Sequence, residues 1–452
     1  MAVCYSTRLS DTARENRWAA EFHRPAYKFV AKNPEDWRKI GKCSKFCQYG
    51  LSIKMNDIGR GVPIYRLNEI EGCFLSDNPS KYAPISPLVA TDYTLEKQDI
   101  LFCRTNGNIN YVGRTGMFLG DNKAVFASYL VRVRTYSDQL VPEYLIIYLN
   151  TEFGRRQILR RAMQSNQVNV SASELKRIDA FLAPPEAQKV VAELVQSAYK
   201  HRSEGISSYK QAQQILEVEL GLDKMTFHKP VGYTAQCSEL ETSHRADAEF
   251  FNPELRYLQR ELEKSLSLKP LPEYADVFKF SNPPYGTEGI PIITQKHLGN
   301  IAPSDYEDDL VAPISWALGN PLAVLRKNDL LYYSVGAYLG KTNQWLSEEK
   351  AVHASFITML RCHTETDAGF LQVLLNSHYG ILQSKCFQSG TSQPYIYPKD
   401  IRRFLVPVIP QALRVQIHNL VVESYEKGEE SKKLIEQAKV RVEQIIEEAI
   451  QS

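Results

Sequence analysis

Apolar and polar positions along this chain follow one succession, short strand-like runs and then long helical ones, and the succession occurs twice. Within 37–70 and 85–135 the runs VPIYRL, DILFC and AVFASYLVRVR are β-branched or aromatic and are broken by glycine, proline and asparagine, which predicts short strands. PIITQ, DLLYYSV and HASFITML, within 274–300 and 322–361, read the same way. A helical run follows each set, PEYLIIYLNTEFGRRQILRRAMQ and GFLQVLLNSHYGILQSKCFQ, and then a polar loop, SNQVNVSASE or SGTSQPYIYPKD. Each body closes on a short apolar strand ending in proline, FLAPP at 181–185 and FLVPVIP at 404–410.

Beyond those prolines the texture changes. Glu186–Leu220 and Gln411–Ile450 hold no proline and are dense in good helix formers. In the second stretch Ile435, Ala438, Val442, Ile445 and Ala449 step by 3, 4, 3 and 4, the spacing of a coiled-coil seam. Tyr209, Ala212 and Leu216 hold the matching places in the first. Each stretch has one glycine, Gly205 or Gly428, where bending is expected to cost little. A helix of about 35 residues is roughly 52 Å long at about 1.5 Å per residue.

Local motifs confirm a duplication. RWAAEFHRP from Arg17 returns as RADAEFFNP from Arg245, and GVPI at Gly61 returns as GIPI at Gly289, both 228 residues later. QDIL and NDLL match Asp99 with Asp329, VGRT and LGKT match Gly113 with Gly340, and AVFAS and AVHAS match Ala124 with Ala351. YLNTEFG and LLNSHYG match Asn150 with Asn376 and Gly154 with Gly380. Tyr49-Gly50 and Tyr285-Gly286 also read as a matching pair of strand starts. Two copies are too few for a solenoid, so each predicts a domain of ordinary size. The fold class expected is α+β: two bodies of mixed β-sheet and helices, separated by two long antiparallel helices with a pseudo-twofold relation. The expected bounds are 1–185 for the first body, 186–221 for the first spacer helix, 222–410 for the second body and 411–452 for the second helix.

Composition narrows the class. A chain of 452 residues that is 43% hydrophobic has material for two to four domains with real cores. No run approaches the roughly 18–20 apolar residues that cross a bilayer, and MAVCYSTRLSDTARENRW lacks the apolar centre of a signal peptide. The eight cysteines are scattered; Cys43 and Cys47 have no second pair or histidine cluster to complete a zinc site. Free thiols in a reducing cytoplasm are expected. Net charge is only +2, so any nucleic-acid role must come from local patches.

In the order of its motifs the whole chain resembles the specificity (S) subunit of type I restriction–modification systems. The resemblance rests on the RxxAEFxxP openings, GVPI and GIPI, the GRT and GKT turns, the NxxxG helices and the proline-ended strands. It implies two target-recognition domains, each reading half of a split, asymmetric sequence in double-stranded DNA. It implies that the helices set the spacing and dock two adenine-N6 methyltransferase (M) subunits, with restriction (R) subunits carried indirectly. It also implies that the chain catalyses nothing and holds no cofactor, S-adenosylmethionine belonging to the partner methyltransferase. A scaffold of the same shape serving another effector is the alternative.

Base reading calls for Arg, Lys, Asn or Gln on loops or helix ends. In the first copy Arg66 and Asn68 follow the VPI strand, and RTNGNINYVGRT offers Arg104, Asn106, Asn108, Asn110 and Arg114. The loop after the helix adds Gln164, Asn166, Gln167 and Asn169. The second copy has Gln295, Lys296 and His297, then Tyr338, Lys341 and Asn343, then Gln388, Thr391, Ser392, Gln393 and Tyr395. These stretches are where the copies diverge most, as expected of modules reading different bases. Arg155, Arg156, Arg160 and Arg161 are expected to put charge on one side of a helix, where it would meet phosphates; the second copy keeps only Lys385 and His378 there.

One motif points elsewhere. Asn282-Pro283-Pro284-Tyr285 spells the NPPY with which adenine-N6 methyltransferases hold a flipped base. No glycine-rich strand–loop–helix for S-adenosylmethionine precedes it, and the alternating strand–helix pattern of a doubly wound domain is missing. A proline-stiffened turn is expected instead. The nine histidines are dispersed, and His353 in AVHAS reads as a packed strand residue.

Overall fold

A computed structural model describes residues 7–15, 17–28, 31–163, 167–225, 232–299, 301–304, 306, 310–390 and 392–450. The fold is α+β, and the chain divides into two compact units, Met1–His201 with Glu430–Ser452, and Arg202–Glu429. Each unit therefore holds one sheet-rich body and part of each of two long helices, Pro185–Glu219 and Gln411–Ala449. No described helix is long and apolar enough to cross a membrane.

In the first unit Trp37–Lys39 pairs with Asp179–Phe181, and the other strands are β1 (Ser44–Tyr49), β2 (Val62–Tyr65), β3 (Ile70–Glu71), β4 (Phe74–Leu75), β5 (Lys81–Ala83) and β6 (Ile100–Cys103). They continue as β7 (Thr105–Asn106), β8 (Thr115–Met117), β9 (Val125–Phe126), β10 (Leu130–Thr135) and β11 (Val168–Asn169). The main sheet runs β1-β10-β6-β8-β4-β3, and a smaller one runs β9-β2-β5. Helices α1 (Pro142–Asn150) and α2 (Glu152–Arg161) follow. Tyr144–Leu149 of α1 are all fully buried, in one core with Ile100, Val131 and Val133 of the sheet. Val191, Val195 and Ala198 of the first long helix join that core, as do Ala438, Val442 and Ile446 of the second. The buried stripe steps by four at its end, so Ile446 is its last fully buried member and the expected Ile445 lies on the flank.

The second unit repeats these parts. Leu268–Pro270 pairs with Leu405–Pro407, and the other strands are β12 (Ala275–Phe278), β13 (Ile290–Ile293), β14 (Val311–Ala312), β15 (Asp329–Tyr333), β16 (Thr342–Gln344), β17 (Val352–His353) and β18 (Ile357–Cys362). The sheets run β12-β18-β15-β16 and β14-β13-β17, and α3 (Glu365–Asn376) and α4 (His378–Phe387) follow. Within this unit the two long helices run in opposite directions. Glu204 pairs with Lys427 at 2.6 Å and Ser424 donates to the Gly205 carbonyl at 2.5 Å, whereas Ala212 and Leu216 share a core with Val421 and Ile417. Gly205 is therefore a point of close approach rather than a cheap bend: an added Cβ would lie 2.8 Å from the Ser424 carbonyl oxygen, whereas at Gly428 it would meet nothing within 4 Å.

Three pieces of shared framework explain the repeated motifs. The aspartate of QDIL immediately precedes β6 and that of NDLL starts β15, buried at 0% and 2% exposure. Asp99 takes Arg134 Nε and Nη2 at 2.6 and 2.7 Å, and Asp329 takes Arg361 at 3.0 and 2.7 Å. Each carboxylate also accepts the backbone N–H three residues back, from Glu96 or Arg326, at 2.8 Å. Burial of a carboxylate is tolerable only with such partners. The NT/NS-x-x-G segments are helix–helix corners. Thr151 and Ser377 each donate to the carbonyl three residues back at 2.6 Å and cap the next helix. A Cβ at Gly154 or Gly380 would stand 2.1 or 2.3 Å from a backbone oxygen of the preceding helix, so only glycine fits. Finally, Arg17 and Arg245 donate to the carbonyls of Ala162 and Gln388, just past α2 and α4, and lie over the rings of Phe22 and Phe250.

One expected equivalence is wrong. Phe46 of β1 faces Arg134 and Asp276 of β12 faces Arg361, and those two arginines hold the same place in the ion pairs. Counting three residues on, Tyr49 matches Lys279, not Tyr285. The short Tyr-Gly echo was outweighed by strand register.

Candidate nucleic-acid interface

In each unit the loop after the central strand is brought against the loop after the second helix. In the first unit β7 pairs with β11, matching Asn106 with Val168 and Thr105 with Asn169, and Val170 N–H donates to the Arg104 carbonyl at 2.8 Å. In the second, Val335 bridges Tyr395, Gly336 N–H donates to Pro394 at 2.7 Å, and Ile396 N–H donates to Ser334 at 3.0 Å. Two loops far apart in sequence thus form one surface, at the same place in both units.

The side chains on that surface differ between the units. In the first, the Arg104 guanidinium lies 4.9 Å from the Tyr49 ring centroid, and its Nε donates to the Ser128 carbonyl at 2.9 Å. Tyr49 Oη in turn accepts the Ala172 N–H at 2.8 Å. Exposed Arg114 stacks on Tyr111 at 3.9 Å. Asn106 and Asn108 fold the loop through side-chain oxygens that accept from the N–H two residues on. Gln167 and Asn108 are exposed, as are Tyr111 and Tyr129. In the second unit the surface is tyrosine-rich. Tyr338 is 73% exposed, Tyr397 Oη donates to Tyr395 Oη at 2.7 Å, and those two rings meet edge to face at 4.6 Å. Gln393 is exposed beside them. Lys279 Nζ donates to Ser334 Oγ at 2.6 Å, which holds it where the first unit has Tyr49 under Arg104.

Other expected residues are placed differently. The arginines of α2 do not make one outward basic face. Arg161 is fully buried between Glu15 at 2.9 Å and Glu174 at 3.5 Å. Burial pushes the Glu15 carboxyl up, but Arg161 outweighs it and holds the group below its ordinary value. Arg155 donates to the Val112 carbonyl at 2.7 Å, and Arg160 lies 4.4 Å over the Phe22 ring; Arg156 pairs with Glu152. Four arginines at these steps go round the helix: three find an internal acceptor or ring, and Arg156 pairs with Glu152 at the surface. Arg66 is bound to Glu69 and Ser80, both at 2.7 Å, within the turn after β2, where Asn68 is exposed. On the matching turn Gln295 and Lys296 are exposed, while His297 is buried and accepts the Thr294 N–H at 3.0 Å. Lys341 donates to the Leu298 carbonyl at 2.9 Å. Asn343 is fully buried and donates to the Gly299 carbonyl at 3.0 Å, an internal strand tie rather than a presented side chain. Gln388 is half-buried, with its carbonyl taken by Arg245. Gln164, Asn166 and Thr391 lie outside the described residues.

The NPPY segment is a turn. Asn282 Oδ1 accepts the Ser355 N–H at 2.7 Å, Pro283 is buried, and Tyr285 points outward at 65% exposure. His353 is buried, and burial lowers its pKa to about 4, so it is a neutral strand residue. Among the described residues no group of His, Cys, Asp or Glu is placed to hold a metal ion. All seven described cysteines are unpaired. Lys279 and Tyr397 were missed from sequence, and the arginine–tyrosine stack at Tyr49 with them. The register of the first strand, which identifies Lys279 and Tyr49 as counterparts, was the signal needed.

No family model matches the chain. It is 26% identical over 155 residues to the type I restriction enzyme EcoKI specificity subunit of Escherichia coli (strain K12), covering 34% of this chain and 33% of that protein. It is 24% identical over 326 residues, 70% of each chain, to a putative type I restriction enzyme MjaX specificity subunit of Methanocaldococcus jannaschii. The chain thus spans a third of one curated relative's length and seven-tenths of the other's. Among solved structures, a type I restriction–modification S subunit from M. genitalium matches over 92% of this chain and 96% of its own, with 13% identity and a TM-score of 0.44. The chain is similar to type I specificity subunits, the family its repeated motifs led us to expect.

Proposed function

We propose that this chain is the DNA-recognition subunit of a type I restriction–modification complex. Each unit reads one half of a bipartite, asymmetric site in double-stranded DNA through its paired loops. The long helices set the distance between the halves and dock two adenine-N6 methyltransferase subunits, through which restriction subunits are carried. The chain performs no chemical step itself, and S-adenosylmethionine is bound by the partner. The setting is cytoplasmic.

One observation carries the reading. The buried framework, Asp99–Arg134 and Asp329–Arg361 with their helix corners, is the same in both units, while the paired-loop surface is Arg104 on Tyr49 in one and Lys279 on Ser334 in the other. Duplicated scaffolds with unlike surfaces suit two halves of unlike sequence. Arginine is the commonest direct reader of guanine, and its stacking on tyrosine presents the guanidinium as a fixed plane. Purification of the full chain from its host tests the reading. An adenine methyltransferase should accompany it, and the complex should prefer one duplex sequence over non-specific DNA by at least about 1000-fold. Recovery of a different effector with no DNA preference would favour a scaffold instead.

A further inference from the structure

We propose that Lys279 is a specificity-determining residue of the second unit and contacts the O6/N7 edge of a guanine in the half-site that unit reads. The inference rests on the DNA-recognition reading and adds a residue, a base and a mode of presentation to it.

Lys279 lines a groove of about 430 Å³ with Val335, Gln393, Tyr395, Ile396 and Tyr397. The groove lies along the joint of the two loops, where Val335 bridges Tyr395. Its position is fixed by register: Lys279 succeeds β12 as Tyr49 ends β1, and Ser334 succeeds β15 as Arg104 succeeds β6. The same two positions therefore carry an aromatic base and a cation in one unit, and a cation and a hydroxyl base in the other. In both, a polar or stacking partner holds the cation.

The ammonium is aimed by a short chain of hydrogen bonds. Lys279 Nζ donates to Ser334 Oγ at 2.6 Å, and Ser334 Oγ donates onward to the Phe356 carbonyl at 3.0 Å. Ser334 is wholly buried, whereas Lys279 is exposed. A lysine ammonium has three donors, so an anchored Lys279 keeps two for a ligand. The Tyr395–Tyr397 pair also lines the groove, its hydroxyls tied together at 2.7 Å, with Lys399 5.6 Å from the Tyr397 ring. The groove thus combines positive charge with stiff aromatic walls and carries no carboxylate among its lining residues, which suits the edge of a polyanionic duplex. A guanine offers two adjacent major-groove acceptors to such a donor, whereas adenine and cytosine oppose it with an amino donor.

Selection of bound duplexes from a randomised pool by the full chain, with whatever methyltransferase co-purifies, tests this. The wild type should enrich a split motif containing guanine in the half assigned to the second unit. Lys279→Met should relax that one position, lowering guanine preference about 10- to 100-fold, and leave the other half unchanged. Lys279→Arg should keep the guanine, and Ser334→Ala should weaken the preference partially. Equal thermal midpoints would show that the variants are folded. A uniform affinity loss with an unchanged motif would mean a phosphate contact and overturn the proposal, as would a motif indifferent to Lys279→Met. Failure of the wild type to enrich any motif would instead overturn the recognition reading beneath it.

Discussion

Deleting the Asp329 carboxylate leaves one of the most deeply committed charges in the second unit without its partner. Asp329 accepts from Arg361 Nε at 3.0 Å, from Arg361 Nη2 at 2.7 Å and from the Arg326 backbone at 2.8 Å. The two side chains are only 2% and 14% exposed. Removing one member of such a pair costs about 3–5 kcal/mol, because the remaining charge stays buried. The arginine's slight exposure puts Asp329→Ala near the lower end, about 3–4 kcal/mol. A denaturant slope of about 2–3 kcal/mol per M in urea then lowers the unfolding midpoint of this unit by about 1–2 M. Hydrogen exchange with mass spectrometry localises the loss, which should appear in peptides of β15 and β18. Replacing both members, Asp329→Ala with Arg361→Met, should recover most of it, since no unpaired charge remains. A single-variant loss below about 1 kcal/mol, or a double variant no better than the single, would refute the reasoning. Asp99→Ala should weaken the first unit at least as much, because Asp99 is fully buried and has Arg132 at 3.7 Å besides Arg134.

Other expectations follow from single contacts. Gly205→Ala should destabilise by more than about 1 kcal/mol, as its Cβ would press on the Ser424 carbonyl, while Gly428→Ala should stabilise by about 0.5–1 kcal/mol, as usual for an unobstructed helix interior; thermal unfolding of the pair reads the contrast. Arg104→Ala should relax one half of the recognised motif by about 1–3 kcal/mol at one position, whereas Arg155→Gln should lower thermal stability without changing the salt slope of DNA binding, because it ties down Val112. Burial raises the Cys73 thiol to about 11 and the Cys386 thiol to about 12. At pH 8 iodoacetamide should therefore modify exposed Cys237 first among the described cysteines and reach those two only on unfolding.

Sequence told most about what the two copies share. Asp99 and Asp329, Gly154 and Gly380, and Arg17 and Arg245 recur because each is fixed by its local geometry: a buried ion pair, a close backbone approach, or a tie to the carbonyl just past a helix. It told least about where cations end up. The four arginines of α2 look alike in a string, but one meets two carboxylates, one a carbonyl, one a ring and one a neighbouring glutamate. Such partners come from Glu15, Phe22 and Val112, whose proximity depends on tertiary packing rather than spacing. Asn343 misled for the same reason: a polar residue beside a turn motif proved to be a wholly buried strand residue. Lys279 was hidden by a two-letter echo at Tyr285 that strand register does not support.

Two like frameworks carry unlike loop surfaces, and adenine-methylation mapping across a genome expressing the chain with its co-purifying methyltransferase tests most directly whether those surfaces read two unlike half-sites. One split motif is expected, whose two defined halves differ in sequence and are separated by a fixed run of unspecified bases. A continuous motif, two identical halves, or no methylation dependent on this chain would contradict it.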